Sequence, residues 1–236
     1  MSPDATDCKN CAFRESGCLR GQTDEAVDYF SKSLTRLRIS GKSRTIVHQD
    51  EETARLVFVC GGMVKMSRVT EDGEEVILSL LGPCSLVGGI NSQTRNNASY
   101  WSAETMTDVT EIAYLNSEDL SRAFHAYPEL GFGFSRYMSR RLRSAYRMIG
   151  NMRLPVEQRL LAVLARIMEL LYGKCENRLV EFPFSYRVLA QFAQVTPETL
   201  SRTLHALQKK GIVDVEKRGI RILQAEALRK YSDLPN

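Results

Sequence analysis

Residues 185–223, SYRVLAQFAQVTPETLSRTLHALQKKGIVDVEKRGIRIL, carry the most informative pattern in the C-terminal part of the chain. A short apolar helix pattern comes first and ends in a turn at Gln194 and Val195. Thr196 is a typical helix N-cap, and Pro197 fits the first helical position because its missing N–H costs no hydrogen bond there. A glycine ends this second helix, and a strand–turn–strand pattern follows. The stretch therefore predicts a winged helix-turn-helix.

The second helix of this motif presents polar side chains at its N-terminal end, where a helix-turn-helix meets the major groove. Arg202 can donate two hydrogen bonds to guanine, and Glu198 can accept one from the amino group of cytosine. Ser201 can reach a base edge or a phosphate, and Thr196 and Thr199 complete the predicted DNA contacts. The sequence therefore predicts specific binding to double-stranded DNA.

Composition excludes several other classes of protein. With 236 residues, 43% of them hydrophobic and 25% charged, the chain has the length and balance of a globular protein of two domains. Residues 1–20 lack the apolar run of a signal peptide, and no stretch is apolar enough to span a bilayer, so we expect a cytoplasmic protein without a membrane partner. The net charge of +4 suits a polyanionic partner. Because the sequence has no P-loop, glycine-rich dinucleotide turn or nucleophile elbow, we expect no enzymatic activity.

The central part of the chain has the pattern of an antiparallel β-domain. Residues 54–60 (ARLVFVC) form an apolar run, residues 63–69 (MVKMSRV) alternate with period two, and residues 71–74 (EDGE) are typical of a hairpin turn. Short strands separated by turns predict a β-roll of the jelly-roll or double-stranded β-helix type. The fold class is therefore α+β, with the β-roll as a sensor domain.

A long helix is predicted after Pro128, and it continues to about Arg153 without an internal proline. Its apolar residues recur at alternating four- and three-residue steps, which is the spacing of a coiled-coil seam. The predicted seam consists of Leu130, Phe134, Met138, Leu142, Ala145 and Ile149. We expect it to join two copies of the chain in a homodimer, although a helix packed on its own domain has the same spacing.

These elements divide the chain into four predicted segments. Leu154 precedes Pro155 and ends the long helix, because proline disfavours the helical conformation in the residue before it. The segments are a cysteine-rich arm (1–22), the β-roll (23–116), a dimerisation helix region (117–154) and a winged-helix DNA-binding domain (155–236).

The succession of β-roll, long helix and winged helix resembles the CRP/FNR family of bacterial regulators over about residues 30–224. The spacing of Glu198, Ser201 and Arg202 is similar to that of the FNR branch, whereas the CRP branch carries an arginine where this chain has Pro197. The resemblance implies a homodimer that reads a palindrome of TTGA-like half-sites, with Glu198 and Arg202 at the G·C pair. It also implies RNA polymerase as a partner in transcription regulation.

The β-roll departs from the pattern of family members that bind cAMP. Those members carry a Gly-Glu-Leu turn and an arginine that holds the cyclic phosphate. Here residues 85–90 (SLVGGI) have no glutamate, and residues 97–101 (NASYW) have no arginine. Because an anion needs a fixed cation or a nest of N–H groups, we expect no binding of cAMP. A small organic ligand near residues 85–101 remains an alternative signal.

Clustered cysteines are the second informative feature of the sequence. Residues 8–18, CKNCAFRESGC, hold three of the six cysteines and are similar to the cluster-binding arm of FNR-type oxygen sensors. Closely spaced thiolates on an irregular loop suit an iron–sulfur cluster. The resemblance implies a [4Fe–4S] cluster on Cys8, Cys11 and Cys18, with oxygen, nitric oxide or redox state as the signal.

A [4Fe–4S] cluster needs a fourth ligand, and this chain has no cysteine in residues 108–112, where the family's fourth ligand lies. We expect Cys84 to replace it, because a position in a turn leaves the sulfur accessible. Cys60 is the alternative, although the end of an apolar strand is more typical of a buried small hydrophobe. Cys175 lies in the other predicted domain. Zinc on the same thiols and a metal-free thiol–disulfide switch are the competing interpretations.

Overall fold

The computed structural model describes residues 8, 14, 17–52, 55–87, 98–217 and 219–232. The chain divides into two compact units, residues 1–142 and 143–236. The division falls inside the longest helix rather than near residue 154, where the sequence placed it. The buried residues of that helix all lie in its first half, so this half belongs to the first unit.

The first unit runs from a short helix through an antiparallel β-roll to the start of the longest helix. Its elements are α1 (Asp24–Lys32), β1 (Thr35–Ser40), β2 (Thr45–Val47), β3 (Arg55–Gly61), β4 (Val64–Val69), β5 (Glu75–Leu81), β6 (Ser85–Val87), β7 (Ser102–Thr105), β8 (Val109–Asn116), α2 (Ser117–Ala126) and α3 (Pro128–Asn151). The strands form two antiparallel sheets, with the orders β1-β8-β3-β6 and β2-β7-β4-β5. This arrangement confirms the predicted β-roll and the α+β fold class.

Apolar side chains from both sheets fill the interior of the roll. The buried residues of this core are Val57, Val59, Val64, Met66, Leu81, Val87, Ala103 and Ile112. They come from every strand from β3 to β8. Complete burial of one such valine or isoleucine side chain contributes about 1.5–3 kcal/mol, so this shared core holds the two sheets together.

The opposite face of the first sheet packs against the helices. Side chains alternate along β3, so Leu56 and Phe58 belong to a second core shared with α1, α2 and α3. The rings of Phe30, Phe58 and Phe134 meet edge to face in this core, with centroids between 5.7 and 6.2 Å apart. Because β3 is buried on both faces, its sequence reads as a continuous apolar run.

Helix α3 has a buried first half and an exposed second half. Leu130 and Phe134 are only 0% and 4% exposed, because they pack in the helix-side core of their own unit. The structure therefore corrects the predicted dimer seam, since these two side chains are not available to a partner. The seam residues that stay exposed are Met138, Leu142, Ala145 and Ile149.

The second unit contains the remainder of α3 and the predicted winged helix. Its further elements are α4 (Val156–Tyr172), β9 (Leu179–Glu181), α5 (Tyr186–Phe192), α6 (Pro197–Lys209), β10 (Val213–Glu216), β11 (Gly219–Ile222) and α7 (Glu226–Arg229). The strands pair in the order β10-β11-β9, so the predicted wing is a hairpin extended by a third strand. Leu164, Leu207 and Ile220 are fully buried in this unit. Of the helices in the described ranges, none is both long enough and apolar enough to cross a bilayer.

Candidate DNA interface and cysteine site

Helix α6 begins at the cap that the sequence predicts. Thr196 is extended, and its Oγ1 accepts a hydrogen bond from the backbone N–H of Thr199 at 3.2 Å. Pro197 occupies the first helical position. Gln194 precedes the cap with a φ of +54°, a left-handed conformation that turns the chain between α5 and α6. The predicted helix-turn-helix is therefore confirmed.

A buried apolar face and an exposed polar face divide α6. The buried side chains are Leu200, Leu204 and Leu207. Glu198, Ser201 and Arg202 are exposed, and all three lie in the first two turns of the helix. The structure thus brings the predicted base-reading residues together on one surface.

Local contacts orient the charged side chains on this surface. Arg202 Nη2 donates a hydrogen bond to Thr199 Oγ1 at 3.3 Å. The backbone N–H of Glu198, the Thr196 hydroxyl and the charge of Arg202 all lower the pKa of the Glu198 carboxyl. An ionised carboxylate only accepts hydrogen bonds, which is what the amino group of cytosine requires. Thr196 therefore caps the helix and contacts Glu198, and the hydroxyl of Thr199 holds Arg202.

Basic residues near the wing are partly paired within the second unit. Lys210 Nζ lies 2.6 Å from Glu157 Oε2. Arg221 pairs with Glu216 on the neighbouring strand of the wing hairpin. Arg218 lies outside the described residues. The positive surface around α6 is therefore smaller than a count of basic residues indicates, although exposed ion pairs such as these are weak.

Four cysteines come together in the first unit. Cys8 and Cys18 are buried in the core between the β-roll and the helices. Cys60 and Cys84 are half-buried and pack against the same core. Cys11 falls in a part of the chain that the structure does not describe. The structure thus describes three of the four predicted ligands, Cys8, Cys18 and Cys84. All three lie in the same region as Cys60, the alternative ligand.

The pairing of β3 with β6 brings Cys60 and Cys84 near each other. The backbone N–H of Cys84 donates to the carbonyl oxygen of Val59 at 3.0 Å, next to Cys60 in the chain. Cys60 was expected to be a buried hydrophobe, but it is half-buried in the same neighbourhood. Location alone therefore does not separate Cys60 from Cys84 as a candidate ligand.

The backbone of Cys84 has an uncommon conformation. Cys84 follows Pro83 in a turn closed by a 3.2 Å hydrogen bond from the N–H of Ser85 to the carbonyl oxygen of Gly82. Its φ of +67° is left-handed, a conformation that favours glycine or asparagine at the third position of such a turn. A residue with a Cβ costs about 1–2 kcal/mol there. This cost favours a functional role for the Cys84 thiol over a packing role.

Burial sets the protonation of these thiols. Burial, reinforced by the neighbouring Cys84 and Cys8 thiols, raises the pKa of Cys18 to about 12. Burial likewise raises the pKa of Cys60 to about 11. Arg36 Nη2 donates a hydrogen bond to Cys8 Sγ at 3.2 Å and brings a positive charge to the group. At neutral pH the Cys18 and Cys60 thiols are protonated without a metal, so metal binding to them must release protons.

The cysteine sulfurs are suitable ligands for a soft metal centre. Iron–sulfur clusters and zinc both prefer thiolate ligands. Within the ranges that the structure covers, no three His, Cys, Asp or Glu side chains lie close enough to hold one ion. Cys11 lies outside those ranges, and the described thiols fit such a group in kind and in neighbourhood.

Two arginines of α3 attach the cysteine arm to this helix. Arg140 Nη2 donates to the carbonyl oxygen of Gly17 at 3.1 Å. Arg136 Nη2 donates to the carbonyl oxygen of Arg20 at 3.0 Å. The two carbonyls flank Cys18, so the helix holds the arm on both sides of this cysteine. Sequence reasoning missed the role, because the partners are 123 and 116 residues apart and one of each pair is a backbone atom.

Comparison with known proteins agrees with this architecture. The cyclic nucleotide-binding domain model matches residues 40–127, and the Crp-like helix-turn-helix domain model matches residues 158–231. The chain is 24% identical over 202 residues to the cAMP-activated global transcriptional regulator CRP of Salmonella typhimurium, covering 84% of this chain and 94% of that one. It is also 24% identical over 195 residues to the anaerobic regulatory protein of Bacillus subtilis, covering 81% of each chain.

The structure of FixK2 from Bradyrhizobium japonicum shows the same fold. It matches with a TM-score of 0.71 and 20% identity, covering 86% of this chain and 99% of that one. Together, the sensor-type domain and the helix-turn-helix define a DNA-binding transcription regulator, a class distinct from enzymes. Within this class, the chain belongs to the CRP/FNR family, whose members are typically dimeric.

Proposed function

We propose that this regulator senses oxygen, nitric oxide or redox state through a [4Fe–4S] cluster bound by its cysteine arm. The proposed ligands are Cys8, Cys11, Cys18 and Cys84. The observation that carries the proposal is the convergence of Cys8, Cys18 and Cys84 on one core, although Cys84 is far from the arm in sequence. The left-handed backbone of Cys84 adds support, since packing alone gains nothing from it.

When bound, such a cluster supplies a centre that oxygen and nitric oxide can attack and that can gain or lose an electron. Arg36 offsets the negative charge that thiolate ligands bring, because its guanidinium contacts Cys8 Sγ. Phe58 and Leu86 in the same core limit the access of water. Arg136 ties the arm to α3, so a change in the arm acts on the helix that carries the proposed dimer seam.

In the proposed dimer, two copies join through the exposed half of α3. The contacts are Met138, Leu142, Ala145 and Ile149. Each α6 enters a major groove and reads one TTGA-like half-site of a palindrome, with Glu198 and Arg202 at the G·C pair and Ser201 beside them. RNA polymerase is the partner of the promoter-bound dimer. Support comes from the exposed apolar stripe on α3 and from the exposed base-reading surface of α6.

The proposed signal does not include cAMP. Apolar side chains such as Val59 and Met66 fill the interior of the roll. Among the side chains described as buried, none is cationic. A cyclic phosphate needs a fixed cation or a nest of N–H groups. Residues 88–97 lie outside the described ranges. Titration of the protein with cAMP tests the proposal, and we expect no saturable binding.

Anaerobic purification tests the cluster. The expected product is brown and contains close to four iron and four acid-labile sulfide atoms per chain, as a [4Fe–4S] centre requires. Cys84→Ser should lose the colour and the iron, whereas Cys175→Ser, in the second unit, should keep both. Colourless wild-type protein without iron would refute the proposal. Retention of iron by Cys84→Ser with loss in Cys60→Ser would assign the fourth ligand to Cys60.

A binding assay with labelled duplexes tests the DNA-reading residues. Arg202→Lys keeps the charge and loses the two-pronged donor, so we expect about 10- to 100-fold weaker binding to a TTGA palindrome. The same variant should lose most of its preference for the palindrome over a duplex with the G·C pair replaced. Lys174→Gln, which removes an exposed basic residue that is not part of α6, serves as the control. An equal loss of affinity for both duplexes would indicate that Arg202 contacts a phosphate and not a base.

A metal-free thiol–disulfide switch is the second candidate. It is favoured by the same gathering of Cys8, Cys18, Cys60 and Cys84 in one core. It predicts colourless protein in which an oxidant forms a disulfide, detected by mass spectrometry, and in which a thiol reductant reverses a change in DNA affinity. Zinc on the same thiols predicts colourless protein that contains about one metal ion per chain and loses it to a chelator.

A further inference from the structure

A hollow lined by arginines and glycines lies where the arm meets α3 in the first unit. Its volume is about 280 Å³. Its lining residues are Gly17, Arg20, Gly21, Gly133, Arg136 and Arg140. The lining therefore brings the guanidinium groups of three arginines to one small space. It is separate from the apolar interior of the β-roll, where family members bind cyclic nucleotides.

Arg136 presents more donors than its contact with the arm requires. The bond from Arg136 to the carbonyl oxygen of Arg20 uses one N–H at 3.0 Å, whereas a guanidinium has five. The side chain of Arg20 projects from the same exposed turn that supplies this carbonyl. Arg136 and Arg20 thus bring two like charges to the same part of the hollow, and an anion between them would relieve their repulsion.

The glycines keep the space open. Gly21 has a φ of +76°, and a Cβ built there would stand 3.9 Å from Arg136 Nη2, within the lining. Gly133 lies so close to the arm that a Cβ would stand 2.3 Å from the carbonyl oxygen of Cys18. Small residues therefore let the arm approach α3 and leave room between the guanidinium groups.

We propose that this hollow binds a small phosphate-bearing anion, such as inorganic phosphate, pyrophosphate or a small phosphate ester. Guanidinium forks match phosphate oxygens in pairs, and a tetrahedral phosphate offers acceptors to several forks where a planar carboxylate suits one. Pockets for drug-sized ligands measure about 300–1,000 Å³, so a hollow of about 280 Å³ suits a small anion.

An occupant would strengthen the attachment of the arm. Arg136 and Arg140 hold the carbonyls on both sides of Cys18, and the same two side chains line the hollow. An anion that fixes these side chains therefore favours the docked position of the arm by mass action. The site would make the arm respond to a phosphate compound independently of any metal centre.

Calorimetric titration of the full-length protein with inorganic phosphate and with pyrophosphate, in chloride buffer, tests the proposal. We expect saturable binding of one anion per chain. Arg20→Gln keeps the carbonyl that Arg136 contacts and should weaken binding at least about tenfold, because it removes a charge-assisted donor. Arg38→Gln, which removes an exposed arginine of β1, should leave the affinity unchanged. In a thermal melt, phosphate should raise the Tm of the wild type but not that of Arg20→Gln.

Three results would overturn the proposal. The first is the absence of saturable heat with both phosphate anions. The second is equal weakening by Arg20→Gln and Arg38→Gln, which would indicate attraction to net charge only. The third is binding of acetate as tight as that of phosphate, which would remove the phosphate class. Each result can be obtained with metal-free protein, so it is independent of the test of the iron–sulfur cluster.

Discussion

Replacing Cys84 by glycine and by alanine separates the cost of its backbone from the role of its thiol. Both variants lose the sulfur and differ only in the Cβ. At a φ of +67° glycine is unstrained, whereas alanine keeps the left-handed conformation with a side chain. The comparison therefore measures the conformational cost that the native cysteine bears in the metal-free protein.

The expected difference follows from two opposing effects. Alanine in the left-handed region costs about 1–2 kcal/mol. Part of the resulting advantage of the glycine variant is lost, because glycine gives the unfolded chain more conformational freedom. This effect lowers the stability of the glycine variant by about 0.4–1 kcal/mol. We therefore expect Cys84→Gly to be more stable than Cys84→Ala by about 0.5–1 kcal/mol. At Cys60, whose backbone is not left-handed, the order should reverse, with alanine more stable than glycine by about 0.5–1 kcal/mol.

Urea unfolding of the metal-free proteins, followed by a signal of the first unit, measures both differences. A change of 1 kcal/mol shifts the Tm by about 2–4 °C for a chain of this size, so a thermal melt gives a second reading. Iron analysis of the same variants, prepared anaerobically, tests the thiol, and both Cys84 variants should lack iron. If Cys84→Ala equals or exceeds Cys84→Gly in stability, the reasoning about the turn is wrong.

Three further changes probe the arm, the recognition helix and the dimer. Gly133→Ala places a Cβ 2.3 Å from the carbonyl oxygen of Cys18 and should cost roughly 1–3 kcal/mol in urea unfolding. Gly131→Ala in the same helix meets no atom within 4 Å and should be neutral or stabilising by up to about 1 kcal/mol, so equal effects of the two would contradict the docked arm. Thr196→Ala removes the cap of α6 and should lower the free energy of unfolding of the second unit by about 1 kcal/mol, while Thr196→Ser restores it; an unchanged melt would count against the cap. Ile149→Glu should shift the protein from dimer to monomer in sedimentation velocity, and a dimer that persists at the same concentration would remove Ile149 from the seam.

The recognition helix could be predicted from the sequence because its determinants are local. Thr196 accepts its hydrogen bond from a residue three positions later, and Pro197 needs only its own geometry. The three leucines of the buried face recur at helical spacing within the same segment. Such interactions lie within a few turns of one helix, so the spacing of residue types is enough to place Glu198 and Arg202 on the outer face.

The environment of the long helix could not be predicted from its apolar spacing. The apolar stripe was predicted as a single dimer seam from Leu130 to Ile149. In the structure Leu130 and Phe134 are covered by the chain's own β-roll, whereas Leu142 and Ile149 are exposed. Periodicity identifies the apolar side of a helix, but it carries no information on which surface covers each turn.

The winged helix, the alternating strands of the β-roll and the arm rich in thiols could therefore be predicted from the order of residues along the chain. Which thiols meet depends on packing, because the register of β3 against β6 sets Cys84 beside Cys60 and both against the core that holds Cys18. Packing also determines the role of Arg136, whose partner is a backbone carbonyl 116 residues earlier. Local hydrogen bonds and the spacing of apolar side chains involve residues that are close in sequence. Contacts across strands and between distant segments depend instead on the packing of the whole unit.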